Sequence, residues 1–409
     1  MRFGIASQSI TPPVGVTLWG YNPRPSTWVE HPLRAEALAC EGGGAGWILV
    51  CADVGAFSGP LARAVRADVA ATTGLPPEAV MITAAHTHSG PHVTDALWCE
   101  RSPLESAYFQ ELRIKLEQTA HAAWQARRPG ELLHARTAAP DVGSNRRVQR
   151  EDGTWTNEWA DPEGRHTGYF DPTVDLLAIR RESGEWDALL VNVGCHPVCY
   201  NEKNQGISGD YVSYLKDALE AQGDVKTVLF TVSGHANIDP RDAVQNDAAV
   251  TRRVGERLAE HVRAALPRLS PVGTGPVAAA QEPWTFASDW TVSGRLGIYF
   301  PHATTGSRVD TLVSCVAAGD CALLGLPGEA VSEYREKLSR LSPFGITLLV
   351  SLANDFVGYL PTDAILAEGA YEAGLSPCRP IESALTAHAE RALAKAFVIR
   401  RGLCRIPRF

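Results

Sequence analysis

Nowhere in this chain of 409 residues do Lys and Arg gather into a block or stripe, and 38 basic residues face 46 acidic ones for a net charge of −8. Phosphate backbones and anionic bilayers are held by concentrated cationic side chains, so neither nucleic acid nor a membrane surface is an expected partner. A run of about 18 or more apolar residues is also missing, which argues against a membrane span. The start, Met1–Gln8, lacks the long apolar core of a secretory leader, and a cytoplasmic location is the expectation. The nine cysteines are an odd number and show neither a CxxC nor a zinc-knuckle spacing. Cys51, Cys195, Cys199, Cys315 and Cys321 sit in apolar stretches, as reduced thiols acting as small hydrophobes do. Cys195 and Cys199 bracket His196, which leaves sulfur ligation as a lesser alternative. Internal repeats and low-complexity tracts are absent, and 45% hydrophobic with 21% charged residues is ordinary globular composition.

Apolar runs alternate with amphipathic stretches. Expected strands are Gly46–Val54, Ala79–Ala85, Val174–Arg180, Ala188–Gly194, Thr227–Ser233, Cys321–Leu326 and Thr347–Leu352. Several are nearly continuous in apolar residues, which suits strands covered on both faces. Expected helices are Pro60–Ala71, Glu105–Ala126, Tyr211–Ala221, Ala248–Leu266, Glu329–Leu338 and Glu382–Val398. In the fourth, Val250, Val254, Leu258, Val262 and Leu266 form one stripe. The pattern predicts an α/β fold, a large mixed β-sheet core flanked by helices, in one compact domain spanning residues 1–409. Two long irregular regions, Pro140–Asp171 and Gln281–Asp310, are expected to cover a site.

The most informative segment is Ala79–His92, an apolar run ending in His86-Thr87-His88-Ser89-Gly90-Pro91. In an extended strand, residues two apart face the same side, so both imidazoles would meet one spot. Other strands end alike. Leu189–Val193 runs into His196, and Val228–Val232 runs into His235, Asn237 and Asp239. Ala322–Leu326 runs into Glu329, and Leu348–Leu352 leads to Tyr359. Ligands of open α/β sheets collect beyond strand ends, so these residues point to one cleft. Singly, each has a plain structural explanation. His196 suits a buried ring bonded to a carbonyl, Glu329 a helix N-terminus, and Tyr359 a core aromatic.

Taken in order, the segments resemble the catalytic domain of the neutral/alkaline (non-lysosomal) ceramidases, without their C-terminal β-sandwich domain. The matching residues are Ser9–Pro13 with Gly20-Tyr21, His31–Ala35, His86–Pro91, Asn145-Arg146, His196-Pro197 and Ile207–Asp210. They continue with Pro327–Glu329, Gly358-Tyr359 and Glu368–Tyr371. The resemblance implies a zinc amidase in which His86, His196, Glu329 and the phenolic oxygen of Tyr359 hold one Zn²⁺. Two imidazoles and a carboxylate are an ordinary hydrolytic zinc set, and zinc brings the pKa of bound water to about 7. The tyrosine ligand rests on the resemblance alone. It further implies that His88 and Tyr371 donate to the reacting carbonyl oxygen, that Arg146 orients the substrate, and that Asp210 steadies a histidine ring.

The segment Ala236-Asn237-Ile238-Asp239-Pro240 departs from the family's Gly-Asp-Ile/Val-Ser/Asn-Pro. The family's acid is Asn237 here, and an amide cannot accept a proton at neutral pH. Asp239 is the first substitute as general base and His235 the second. The expected function is a zinc-dependent hydrolase cleaving a linear amide of a small N-acyl compound, with Trp19, Tyr21, Trp98, Tyr299 and Phe300 as candidate pocket lining. Two alternatives stand beside it. One is a metal hydrolase of the amidohydrolase-barrel type. The other is a noncatalytic zinc-retaining binding protein, suggested by Asn237.

Overall fold

The structure, a computed structural model, describes residues 1–94, 101–289 and 306–401. Among the described residues the α/β core is divided among three mixed sheets flanked by helices. The first holds Arg2–Ser9, Arg34–Gly42, Ala45–Ala52 and Val80–Ala84, with the short Arg128–Pro129 at one edge. The second holds Glu131–Ala138, Thr173–Arg180, Trp186–Val193 and Val228–Val232, edged by Ser270–Pro271. The third holds Val277–Ala287, Arg308–Ala318, Cys321–Gly325 and Ile346–Val350. The antiparallel pairs within each of these three sheets exclude the all-parallel barrel of the amidohydrolase alternative.

Each of these sheets ends in one parallel pair. Ala45–Ala52 pairs with Val80–Ala84, Trp186–Val193 with Val228–Val232, and Cys321–Gly325 with Ile346–Val350. Val80–Ala84 and Val228–Val232 are wholly buried, and Ile346–Val350 is buried from Thr347 on, as strands covered on both faces must be. The three edges are stitched together just beyond Val350. Ser351 N donates to Val232 O at 2.9 Å, and Asn354 N donates to Ile82 O at 2.8 Å. Thr83 Oγ1 donates to Ser351 O at 3.0 Å, and Asn192 Nδ2 donates to Leu349 O at 2.8 Å. The C-terminal ends of the parallel pairs therefore open onto a common place.

Helices Tyr211–Ala221 and Ala248–Ala265 pack on each other, Val254, Leu258 and Val262 of the predicted stripe being buried. Two expectations differ from the structure. The helix predicted over Glu329–Leu338 runs over Glu333–Leu341. Glu329–Ala330 instead pairs with Tyr359–Leu360, Glu329 N donating to Gly358 O and Val331 N to Leu360 O, so helical bonding cannot begin before these donors are satisfied. The supposedly irregular Gln281–Asp310 contains strand up to Ala287 and again from Arg308, two arms of one antiparallel pair. Pro283 had masked the first arm.

Candidate metal centre

His86 follows the strand Val80–Ala84, but it does not continue it. Its backbone has φ +72°, a left-handed conformation costly for a side chain with a Cβ, and its N–H donates to Val54 O at 2.9 Å. This kink, rather than strand alternation, brings the His86 and His88 rings edge to face with centroids 5.0 Å apart. His196 and His235 arrive by a simpler route. Val193 and Val232 are register partners in parallel strands, and each histidine lies three residues further on. The two rings finish 4.5 Å apart.

The imidazoles of His86, His196 and His235 surround Glu329, and all four side chains are buried. Their candidate donor atoms lie within 4.8 Å of one another. From Oε2 of Glu329, Nε2 is 3.4 Å away in His86, 3.1 Å in His196 and 3.9 Å in His235. A tetrahedral ion with bonds of about 2.0–2.1 Å needs donor separations of about 3.4 Å, so this spacing fits.

The outer edges of the rings decide their tautomers. Nδ1 of His86 meets Gly55 O at 2.7 Å, Nδ1 of His196 meets Ile238 O at 3.0 Å, and Nδ1 of His235 meets Ser233 O at 3.0 Å. A carbonyl only accepts, so each Nδ1 carries a proton, and a ring in the corresponding neutral tautomer turns a lone pair inward at Nε2. Nε2 of His86 and of His235 has no hydrogen-bond partner among the described residues. Lone pairs facing a carboxylate oxygen repel one another unless a proton or a cation lies between them. The donor set thus suits a divalent metal ion. Burial raises the carboxyl pKa of Glu329, but His86 and His196 more than offset this and hold it well below the ordinary range. Burial, then the neighbouring His196 and His86, holds the His235 pKa well below its ordinary value.

His88 stands beside the cluster with neither ring nitrogen hydrogen-bonded to a described residue. Burial, then His86 and His196, lower its pKa well below the usual imidazole value, so it is a neutral group able to donate from either nitrogen. Arg146 is buried and heavily engaged. It donates to Asp239 Oδ1 at 3.0 Å, Glu372 Oε1 at 2.9 Å and the phenolic oxygen of Tyr359 at 3.3 Å, and its guanidinium carbon is 5.4 Å from the Tyr371 ring centroid. Tyr371 packs edge to face on Tyr359, centroids 5.7 Å apart. Asp239 Oδ1 is 3.4 Å from Nδ1 of His196, the ring edge turned away from Glu329, while its Oδ2 has no hydrogen-bond partner among the described residues.

Asn237 has a structural task. Its Oδ1 accepts from Ser332 N at 2.9 Å and its Nδ2 donates to Glu333, tying the His235 loop to the segment after Glu329. Among the described residues, Asp210 hydrogen-bonds to no imidazole. Its carboxylate accepts from the backbone N–H groups of Cys199, Tyr200 and Tyr211, holding the chain that follows His196. Cys195 and Cys199 are buried, and burial raises both thiols well above their ordinary pKa, against thiolate ligation. Of the candidate lining, Trp19 is buried and stacks on His92, and Tyr21 meets the His88 ring at 5.2 Å. Trp98, Tyr299 and Phe300 lie outside the described residues.

Fold and site together define an α/β protein of three mixed sheets whose converging ends enclose a His₃Glu centre able to hold a metal ion. Two solved structures similar to it are ceramidases. The neutral ceramidase from Pseudomonas aeruginosa matches with a TM-score of 0.77 at 18% identity, covering 100% of this chain and 76% of that one. A ceramidase complexed with C2 matches with a TM-score of 0.78 at 17% identity, covering 100% and 77%. The resemblance read from the sequence therefore holds at the level of the fold. No protein-family model and no curated protein matches the chain. No described helix is long and apolar enough to cross a membrane.

Proposed function

We propose that this protein is a zinc-dependent amidase that hydrolyses the amide bond of an N-acyl lipid. The observation that carries the reading is the buried set of inward-facing imidazole lone pairs around Glu329, with His86, His196 and Glu329 as its common core. A bound Zn²⁺ would supply Lewis acidity toward a carbonyl and activate water. The chain's own groups do the rest. His88, with neither ring nitrogen hydrogen-bonded to a described residue, would donate to the carbonyl oxygen of a bound amide. Arg146, anchored by Glu372 and Asp239, holds the phenolic oxygen of Tyr359 and, with it, the face on which Tyr371 packs, so its part is to order these rings beside the substrate. Asp239 steadies His196 from behind.

The sequence favoured a small amide. The names of both structural neighbours favour a lipid amide instead, and substrate length separates the two. Zinc-loaded protein would be assayed on N-acyl amides of graded acyl length. Turnover rising with chain length, and abolished in His86→Ala, is the expected result. Turnover confined to short acyl groups would return the small-amide reading. Stoichiometric zinc with no turnover on any member would leave a binding protein.

A further inference from the structure

Arg24 lies buried in the short hairpin that pairs Thr17–Leu18 with Arg24–Pro25. We propose that Arg24 is the positioning residue of His88: its planar guanidinium braces both the loop that carries this imidazole and the Tyr21 ring beside it. This deepens the amidase reading and rests on the donor's part given there to His88.

The imidazole of His88 depends on such a brace. The rings of His86, His196 and His235 are each set by a backbone carbonyl at Nδ1. His88 has no hydrogen bond from either ring nitrogen to a described residue, so packing and its own backbone set where it points. Its two neighbours in the chain are tied to the segment ahead of Tyr211–Ala221. Thr87 Oγ1 donates to Ser208 O at 2.7 Å, and Ser89 O accepts from Ser208 N at 3.0 Å. The carbonyl of His88, between them, accepts from Nη2 of Arg24.

The rest of the guanidinium reaches two further carbonyls. Nη1 donates to Trp19 O at 3.1 Å and Nε to Asn204 O at 2.8 Å. One rigid fork thus joins the turn of its own hairpin, the loop that follows His196 and the loop that follows Val80–Ala84. Its central carbon is also 4.9 Å from the centroid of the Tyr21 ring, which meets the His88 ring edge to face at 5.2 Å. Tyr21 is fixed at its far end, where its hydroxyl donates to Tyr200 O at 2.9 Å. Arg24 therefore holds His88 twice, by its carbonyl and through the neighbouring ring. Burial lowers the guanidinium pKa to about 10, which leaves it charged at neutral pH. A lysine would keep that charge but not the fork, because an ammonium is a point donor on a flexible stem.

Two readouts test the assignment, one of them independent of turnover. In zinc-loaded protein with ¹³C-labelled histidine, the ring C–H signal of His88 is the one missing from the spectrum of His88→Gln. We expect Arg24→Gln and Arg24→Lys each to move that signal at constant pH, while zinc affinity stays within about threefold, short of what losing an outer-shell partner costs. On an N-acyl amide that the wild type turns over, kcat should fall about 100-fold in Arg24→Gln, the scale of an ångström-level misplacement, with KM changed less than about threefold. Arg24→Lys should lose rate as well, since its ammonium cannot serve three carbonyls. Because Arg24 acts through His88, adding Arg24→Gln to His88→Gln should cost nothing further. Far-ultraviolet circular dichroism checks folding, and Arg24→Lys carries both readouts if Arg24→Gln does not fold. An unmoved His88 signal, wild-type kcat in Arg24→Lys, or losses that multiply in the double variant overturns the assignment and leaves the amidase standing. Wild-type kcat in His88→Gln, or a wild type that turns over no amide, overturns the amidase reading of His88 instead, and the His88 signal still decides whether Arg24 sets the ring.

Discussion

Gly20 lies against the ring of His88 so closely that a Cβ on it would sit 2.3 Å from His88 Cγ, and its backbone has φ +93°. No other residue keeps both that contact and that conformation without strain. Gly20→Ala must therefore move the ring of His88 while leaving the donors around Glu329 in place. We expect kcat to fall about 100-fold, the scale of an ångström-level misplacement, with zinc affinity unchanged. Equal losses in zinc binding and kcat would show that His88 and the metal donors move as one unit.

Gly55 plays the corresponding part for His86. Its carbonyl accepts from Nδ1 of His86, and a Cβ on it would lie 2.1 Å from Cδ1 of the buried Trp19. Gly55→Ala should displace that carbonyl and lower zinc affinity about 10- to 100-fold. The double variant with Trp19 shortened to leucine tests the cause: restored affinity is expected if the clash is what moves the carbonyl.

Glu372 is wholly buried between two arginines. It accepts from Arg146 Nε at 2.9 Å, from Arg147 Nη1 at 2.7 Å and from Asn157 Nδ2 at 2.7 Å. Glu372→Gln should destabilise the protein by about 3 kcal/mol in urea unfolding, the low end for a buried pair stripped of one partner. The low end applies because Arg146 keeps Asp239 and Arg147 keeps Glu368. A change under about 0.5 kcal/mol, the range of ordinary surface substitutions, would show that this carboxylate is dispensable to the fold.

Stability should fall in acid, and Asp175 is one named cause. Burial raises its pKa, but hydrogen bonds from His134 and Arg136 and the charges of Arg136 and Arg335 outweigh that and bring it to about 2. Because the folded value lies below the unfolded one, the contribution is whole above about pH 4 and is lost as pH falls through about 2. Its size is about 2–3 kcal/mol. Thermal unfolding between these limits should fall less steeply with pH in Asp175→Asn than in the wild type. Equal slopes would assign the acid limb elsewhere.

What the sequence made legible follows from how each element is covered. Val80–Ala84 and Val228–Val232 are buried on both faces and therefore read as unbroken apolar runs, and the helix Tyr211–Ala221 shows its buried face as a period. Arg2–Ser9 and Glu131–Ala138 carry polar residues in antiparallel strands that are only partly buried, and Arg34–Gly42, buried from Ala35 to Cys40, includes the charged Glu36, so none of the three shows an apolar run. The site residues were visible one by one at strand ends, but not their grouping. The grouping of His235 with His196 is hidden because the sequence cannot show that Val193 and Val232 are neighbours in register. One signal was present. His196 and His235 follow their strands at the same offset, which would have paired them had the parallel alignment been known.

The centre draws its donors from all three sheets. His86 follows the last strand of the first, His196 and His235 follow two strands of the second, and Glu329 follows Cys321–Gly325 of the third. No one sheet, however well formed, contains enough of it to bind an ion tightly. A nascent or partly unfolded chain would therefore lack the assembled donor set, which forms only when the last sheet docks. An ion bound there would clasp segments far apart in sequence, so its removal should loosen the seams between sheets before it melts any one of them.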